Sequence, residues 1–131
     1  MATITKFEDL DVWNKARLPS VKIYNLTFLE PLSKDYRLKD QMRGSAGSIM
    51  DNIAEGFERS SRLEFINSLG IAKGETGELK SQLYRALDVG YITQEVFNDL
   101  YAKADEITKM ATSFITYLNK SEIKGHKFKN R

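Results

Sequence analysis

From Phe65 to Gly90 the chain places an apolar or small residue every four and then every three positions, without a break. The positions are Phe65, Leu69, Ala72, Thr76, Leu79, Leu83, Ala86 and Gly90. This spacing averages about 3.5 residues, close to one α-helical turn, so all eight fall on one stripe. A strand turns its side chain over at every residue and would scatter them across two faces. The stripe is therefore the seam of a long helix that must pack against other helices. Leu100, Ala104, Ile107, Ala111, Phe114 and Leu118 make a second unbroken seam. Two long seams of this kind restrict the chain to an all-α packing of coiled-coil type.

Turn signals divide the remainder. Helix 1 is expected from about Asp9 to Leu29, with Trp13, Ala16, Ser20, Ile23 and Thr27 on one stripe and Val21, Tyr24 and Phe28 widening it. Pro19 lies inside this pattern. It lacks an amide donor and crowds the preceding turn, so a kink is expected there. Glu30 to Lys34 reads as a loop, with Ser33 placed to cap helix 2. Helix 2 is expected from about Lys34 to Phe57, with Gly56 at its end and Ser60-Ser61 capping the next. Helix 3 is expected from about Arg62 to Val89, closed by Gly90. Thr93 then caps helix 4, expected from about Gln94 to Asn119. At 1.5 Å per residue the longer helices are rods of roughly 35–40 Å. Short loops between such rods predict one domain, an antiparallel up-down-up-down four-helix bundle over residues 1–119. Residues 120–131 show no periodicity and are expected to form a mobile basic tail.

Helix 2 carries two faces. Leu38, Met42, Ile49 and Ile53 make an apolar stripe. Ser48, Asn52, Glu55 and Arg59 follow a 4, 3, 4 spacing on a second stripe about 100° round the helix. Between them, Gly44, Ser45, Ala46 and Gly47 leave part of the surface almost bare. Helix 3 adds Gly70, Gly74, Gly77 and Ser81 beside its seam. Each interior glycine costs a helix up to about 1 kcal/mol relative to alanine. Three on one side point to a close approach there, by another part of the chain or by a neighbouring subunit.

Several of these residues carry a family resemblance. Gln41-x-Arg43, Ser48 and Asn52-Ile53-Ala54-Glu55-Gly56 resemble the signature of four-helix-bundle proteins encoded in intervening sequences of bacterial 23S ribosomal RNA genes. Phe7-x-x-Leu10-x-Val12-Trp13, the stretch from Phe65 to Glu78, and Gly90-Tyr91-Ile92 agree with it. The chain departs from the pattern at Pro19, at Phe28-Leu29-Glu30-Pro31, and at Glu75, where the family commonly has serine. The accessory variability proteins of diversity-generating retroelements look like relatives in fold. The resemblance implies a four-helix bundle that assembles into a ring, with five copies as the expected number. It does not supply a biochemical role.

The chemistry-bearing residues are sparse. The chain has no cysteine and a single histidine, His126, in the tail. A thiolate metal site, a cysteine nucleophile, a Ser-His-Asp triad and a Glu-x-x-His di-iron centre are all disfavoured on that count. The helix 3 glycines follow no strand and precede no Gly-Lys-Ser/Thr, so they are not a phosphate loop. No enzyme activity and no cofactor are expected. No apolar run approaches the roughly 20 residues of a spanning helix, and the N-terminus lacks a signal-peptide core. A reduced, cytoplasmic setting is the simplest expectation.

Two groups of residues remain as candidates. Gln41, Arg43, Ser48, Asn52, Glu55 and Arg59 read as a hydrogen-bonded polar seam between helices or subunits, since a buried carboxylate needs a partner. The same residues are placed to line a site for a ligand or nucleic acid. Lys34, Arg37 and Lys39 on helix 2, with Lys124, Lys127, Lys129 and Arg131 in the tail, are the candidate nucleic-acid contacts. The net charge of +2 conceals a near-neutral body and a tail with five Lys/Arg and one Glu. Any binding to RNA or DNA is therefore expected to be weak, nonspecific and carried largely by the tail. Trp13, Tyr24, Tyr84, Tyr91, Tyr101 and Tyr117 offer stacking faces, or serve as core and interface residues. Two readings compete. One is a homo-oligomeric assembly protein that binds RNA or a protein partner. The other is a retroelement accessory subunit that binds a reverse transcriptase, for which a more basic body is expected.

Overall fold

Four helices hold most of residues 3–121, the part that the computed structural model describes. They are α1 (Asp11–Leu26), α2 (Tyr36–Glu58), α3 (Arg62–Asp88) and α4 (Gln94–Lys120). Single 3-10 turns at Phe7–Asp9 and Leu32–Lys34 lead into α1 and α2, and no strand occurs among the described residues. Of the expected basic tail, residues 122–131 lie outside the described part.

Side-chain caps set three of the helix starts. Ser61 accepts from Glu64 N at 3.4 Å and Thr93 from Val96 N at 3.1 Å. The α2 cap is Asp35, which accepts from Leu38 N at 3.1 Å, not the expected Ser33. Ser33 lies within the preceding 3-10 turn, where its amide bonds to Leu29 O at 2.9 Å. The Tyr91 hydroxyl also donates to Asp35, at 3.0 Å, and ties the α3–α4 turn to the start of α2. The Leu38 amide, then the Tyr91 hydroxyl, hold the Asp35 carboxyl below its ordinary pKa. Gly90 closes α3 with φ +80, a conformation that side chains disfavour.

The helix pairs run antiparallel. As residue number rises along α2 through Gln41, Ser45 and Gly56, the facing α3 residue falls through Arg85, Gln82 and Ser68. Along α4 the partners of Phe97, Asp105 and Phe114 are Tyr84, Lys80 and Phe65. Lys15 and Lys22 of α1 reach Glu106 and Asp99 of α4. Contacts join α1 to α2, α2 to α3, α3 to α4 and α4 to α1, which makes a square, up-down bundle.

The α3 seam is buried as its spacing requires, from Phe65 to Ala86. In the α4 seam, Phe114 is only half-buried and meets Phe65 edge to face at 5.1 Å. Phe65 also meets Phe57 of α2 edge to face at 5.8 Å. Two expectations need correction. The buried stripe of α1 is Val12, Ala16, Pro19 and Ile23, whereas Val21, Tyr24 and Phe28 are 55%, 50% and 61% exposed. Gly56 does not end α2, which runs on to Glu58. A Cβ there would overlap Ser68 Cβ and lie 2.7 Å from its Oγ, so α2 and α3 approach closely at Gly56.

Candidate functional site

The six polar candidates on α2 fall into separate places. Asn52 Nδ2 donates to the Ser48 carbonyl, 2.8 Å away and one turn earlier, so the amide is partly satisfied within its own helix. Arg59 clamps the α2–α3 turn, with Nη2 to Glu55 at 3.2 Å and Nη1 to Glu64 at 3.0 Å. Those two carboxylates, Glu55 first, raise the Arg59 pKa. All three side chains are more than half exposed, so the clamp adds little to stability. Gln41 Oε1 accepts from Arg85 Nη1 of α3 at 2.9 Å. Arg43 turns the other way, toward α1. Its Nε donates to Thr27 Oγ1 at 2.7 Å, and its guanidinium lies 4.3 Å from the Tyr24 ring centre and 4.9 Å from that of Phe28. Within one chain, then, these residues do not form a single continuous seam.

Gln41 belongs to a polar groove of about 480 Å³ between α2 and α3, where it lies with Gln82 and Arg85, which the sequence did not single out. Ser45 and Gln82 meet at its floor. Gln82 Nε2 donates to Ser45 Oγ at 3.0 Å, while Gln82 Oε1 is buried and has no hydrogen-bond partner. Glu75 and Glu78 line the same groove. Burial, then the neighbouring Glu78 carboxylate, raise the Glu75 pKa, and a bond from Ser45 opposes them. The sequence signal was present: Glu75, Glu78, Gln82 and Arg85 follow a 3, 4, 3 spacing beside the seam.

Gly44 lines this groove, and the same two helices carry further bare positions. A Cβ added at Gly44 or Gly47 on α2, or at Gly70, Gly74 or Gly77 on α3, would meet nothing within 4 Å. Nothing in the described chain approaches these five positions closely.

The basic candidates differ in surroundings. Lys34 pairs with Glu30 at 3.0 Å on the surface. Lys39 Nζ sits 4.8 Å from the Tyr36 ring centre, and Arg37 is exposed. Lys124, Lys127, Lys129 and Arg131 lie outside the described residues. Among the described residues no group of three or more His, Asp or Glu is placed to hold a metal ion. No helix there is long and apolar enough to cross a membrane.

Residues 8–113 match the family model described as 23S rRNA-intervening sequence protein. The fold is similar to the crystal structure, at 1.70 Å, of a protein with unknown function from the S23 ribosomal protein family of Bacteroides thetaiotaomicron VPI-5482. The TM-score is 0.73 at 33% identity, over 80% of this chain and 95% of that one. No curated protein matches the sequence.

Proposed function

The chain belongs to the 23S rRNA-intervening sequence protein family, and on that premise we propose that it is a non-enzymatic assembly protein, a homo-oligomer joined through its α2–α3 face. The bare groove carries this reading. Five helix-interior glycines each cost up to about 1 kcal/mol relative to alanine, and no contact within the chain makes use of the space they open. A buried acceptor without a donor costs a further ~1–3 kcal/mol, and Gln82 Oε1 is one. A neighbouring subunit approaching this face uses the bare surface and supplies the missing donor.

The complementary surface is a different one. α1 leaves Leu18 and Val21 more than half exposed, and it contacts α2 and α4 rather than α3. A contact between two unlike faces is heterologous and closes into a ring when the rotation allows. The resemblance alone supports five copies. Replacing Gly74 or Gly47 by leucine puts bulk on the bare face, starting from a Cβ that meets nothing within 4 Å inside the chain. Sedimentation velocity should then show dissociated subunits of parental helicity. Parental assembly in both variants would remove this face from the interface.

A further inference from the structure

We propose that the α1–α2 corner around Arg43 is a binding site for single-stranded nucleic acid, with phosphates on Arg43 and Lys39 and bases on Tyr24, Phe28 and Tyr36. The guanidinium is held in advance of any ligand. Thr27, only 1% exposed, donates its hydroxyl to the Tyr24 carbonyl at 2.6 Å and accepts from Arg43 Nε at 2.7 Å. The rings of Tyr24 and Phe28, edge to face at 5.2 Å, both lie within 5 Å of the guanidinium carbon. Nε is occupied, so the two Nη groups are left as a fork for a phosphate. Tyr36 and Lys39 repeat the pairing on the same side of α2. Seven residues at 1.5 Å place Arg43 about 10 Å beyond Tyr36 along the helix.

Charge and exposure select the partner. No carboxylate pairs with Arg43, Lys39 or Arg37 among the described residues. Covering this corner with an apolar protein surface would desolvate those cations without a counter-charge. Tyr24, Phe28 and Tyr36 remain 50%, 61% and 68% exposed, so much of each ring beside its cation is open to solvent. An acidic peptide would match the cations and leave the rings unused. Single-stranded nucleic acid matches both, because its backbone takes the cations and any base stacks on an aromatic face. The site shares no residue with the α2–α3 groove, and on α1 it lies one turn and more beyond Val21, so the assembly proposed above leaves it open only where the α1 contact stops short of Tyr24.

The test uses the full chain and a fluorescein-labelled oligouridylate, with anisotropy read across a potassium chloride series. Phe28→Leu and Tyr36→Leu should each weaken binding about 5-fold or more, with the salt dependence unchanged. Arg43→Ala should weaken it and flatten the log–log salt slope by about 0.7, one single-strand phosphate contact. Arg43→Lys, which keeps the charge and loses the fork, should weaken binding at an unaltered slope. The two leucine variants alter exposed rings and hold the test if Arg43→Ala fails to fold. No binding by the parent chain, or equal affinity in the parent and all four variants, would overturn the proposal. So would a change of mass in solution in the two leucine variants, since the corner would then be a subunit contact. A failure of the assembly reading appears separately, as a monomeric parent that still binds the oligonucleotide through these residues.

Discussion

Gly56 and Gly74 both lie inside helices, yet replacing each by alanine should change stability in opposite directions. At Gly56 the new methyl group would overlap Ser68 Cβ, lie 2.7 Å from Ser68 Oγ and lie 3.3 Å from Phe65 Cδ1. Ser68 is 7% exposed and Phe65 is fully buried, so neither can swing into solvent. Forcing one methyl group into such a contact costs ~1–3 kcal/mol, and the helix-propensity gain of alanine returns up to about 1 kcal/mol. Mid-range values of the two leave a net loss of ~1–2 kcal/mol. For a chain of this length 1 kcal/mol moves Tm by roughly 3–5 °C, so Gly56→Ala should melt about 3–10 °C below the parent. At Gly74 the methyl group meets nothing within 4 Å. Within one chain only the propensity term remains, and Gly74→Ala should melt up to about 5 °C higher under conditions that keep the subunits dissociated. Thermal unfolding by circular dichroism reads both, at one fixed protein concentration because assembly makes Tm concentration-dependent. Ser68→Gly removes the opposing Cβ, so a double-mutant cycle should show Gly56→Ala costing far less in that background. A Gly56→Ala variant as stable as the parent, or one indifferent to Ser68→Gly, would refute the close approach of α2 and α3 here.

Two other changes test the core and the groove. Leu83→Asp places an unpaired charge at a fully buried seam position and should abolish folding; parental helical content in circular dichroism would contradict the seam. Glu75 has a carboxyl pKa raised above 4.5 by burial and by Glu78. The folded state therefore holds that proton more tightly than the unfolded state. The favourable contribution is complete below the ordinary value and is lost as pH rises through the folded one. Glu75→Gln should match or exceed the parental Tm at neutral pH, and the gap should close as pH falls below 4.5. A lower Tm for the glutamine variant at neutral pH would mean that a cation pairs with the carboxylate.

Much of the fold was legible because repeated spacing is a local property. The α3 and α4 seams, the Ser61 and Thr93 caps and the closing Gly90 all follow from residues within a few turns of one another. The misses needed information from another helix. Ser33 and Asp35 have equal capping chemistry, and only the intervening 3-10 turn decides for Asp35. Gly56 looks like a helix end until Ser68 is seen across from it. The stripe of α1 was drawn too wide because exposed Val21, Tyr24 and Phe28 imitate core residues. In the candidate site, Gln41 and Arg43 were identified and their partners were not. Arg85 and Gln82 look like ordinary polar flanks of a seam until antiparallel pairing with α2 brings them to Gln41 and Ser45. Thr27 becomes a support for Arg43 only when α1 lies beside α2.

Assembly through a bare α2–α3 face is the central claim, and the mass of the unmodified chain in solution tests it most directly. Size-exclusion chromatography with multi-angle light scattering at micromolar concentration should give about 75 kDa, five copies of a 15.0 kDa chain. A single peak at 15.0 kDa would contradict the account, and the five open glycines and the unmet Gln82 acceptor would then need a different partner.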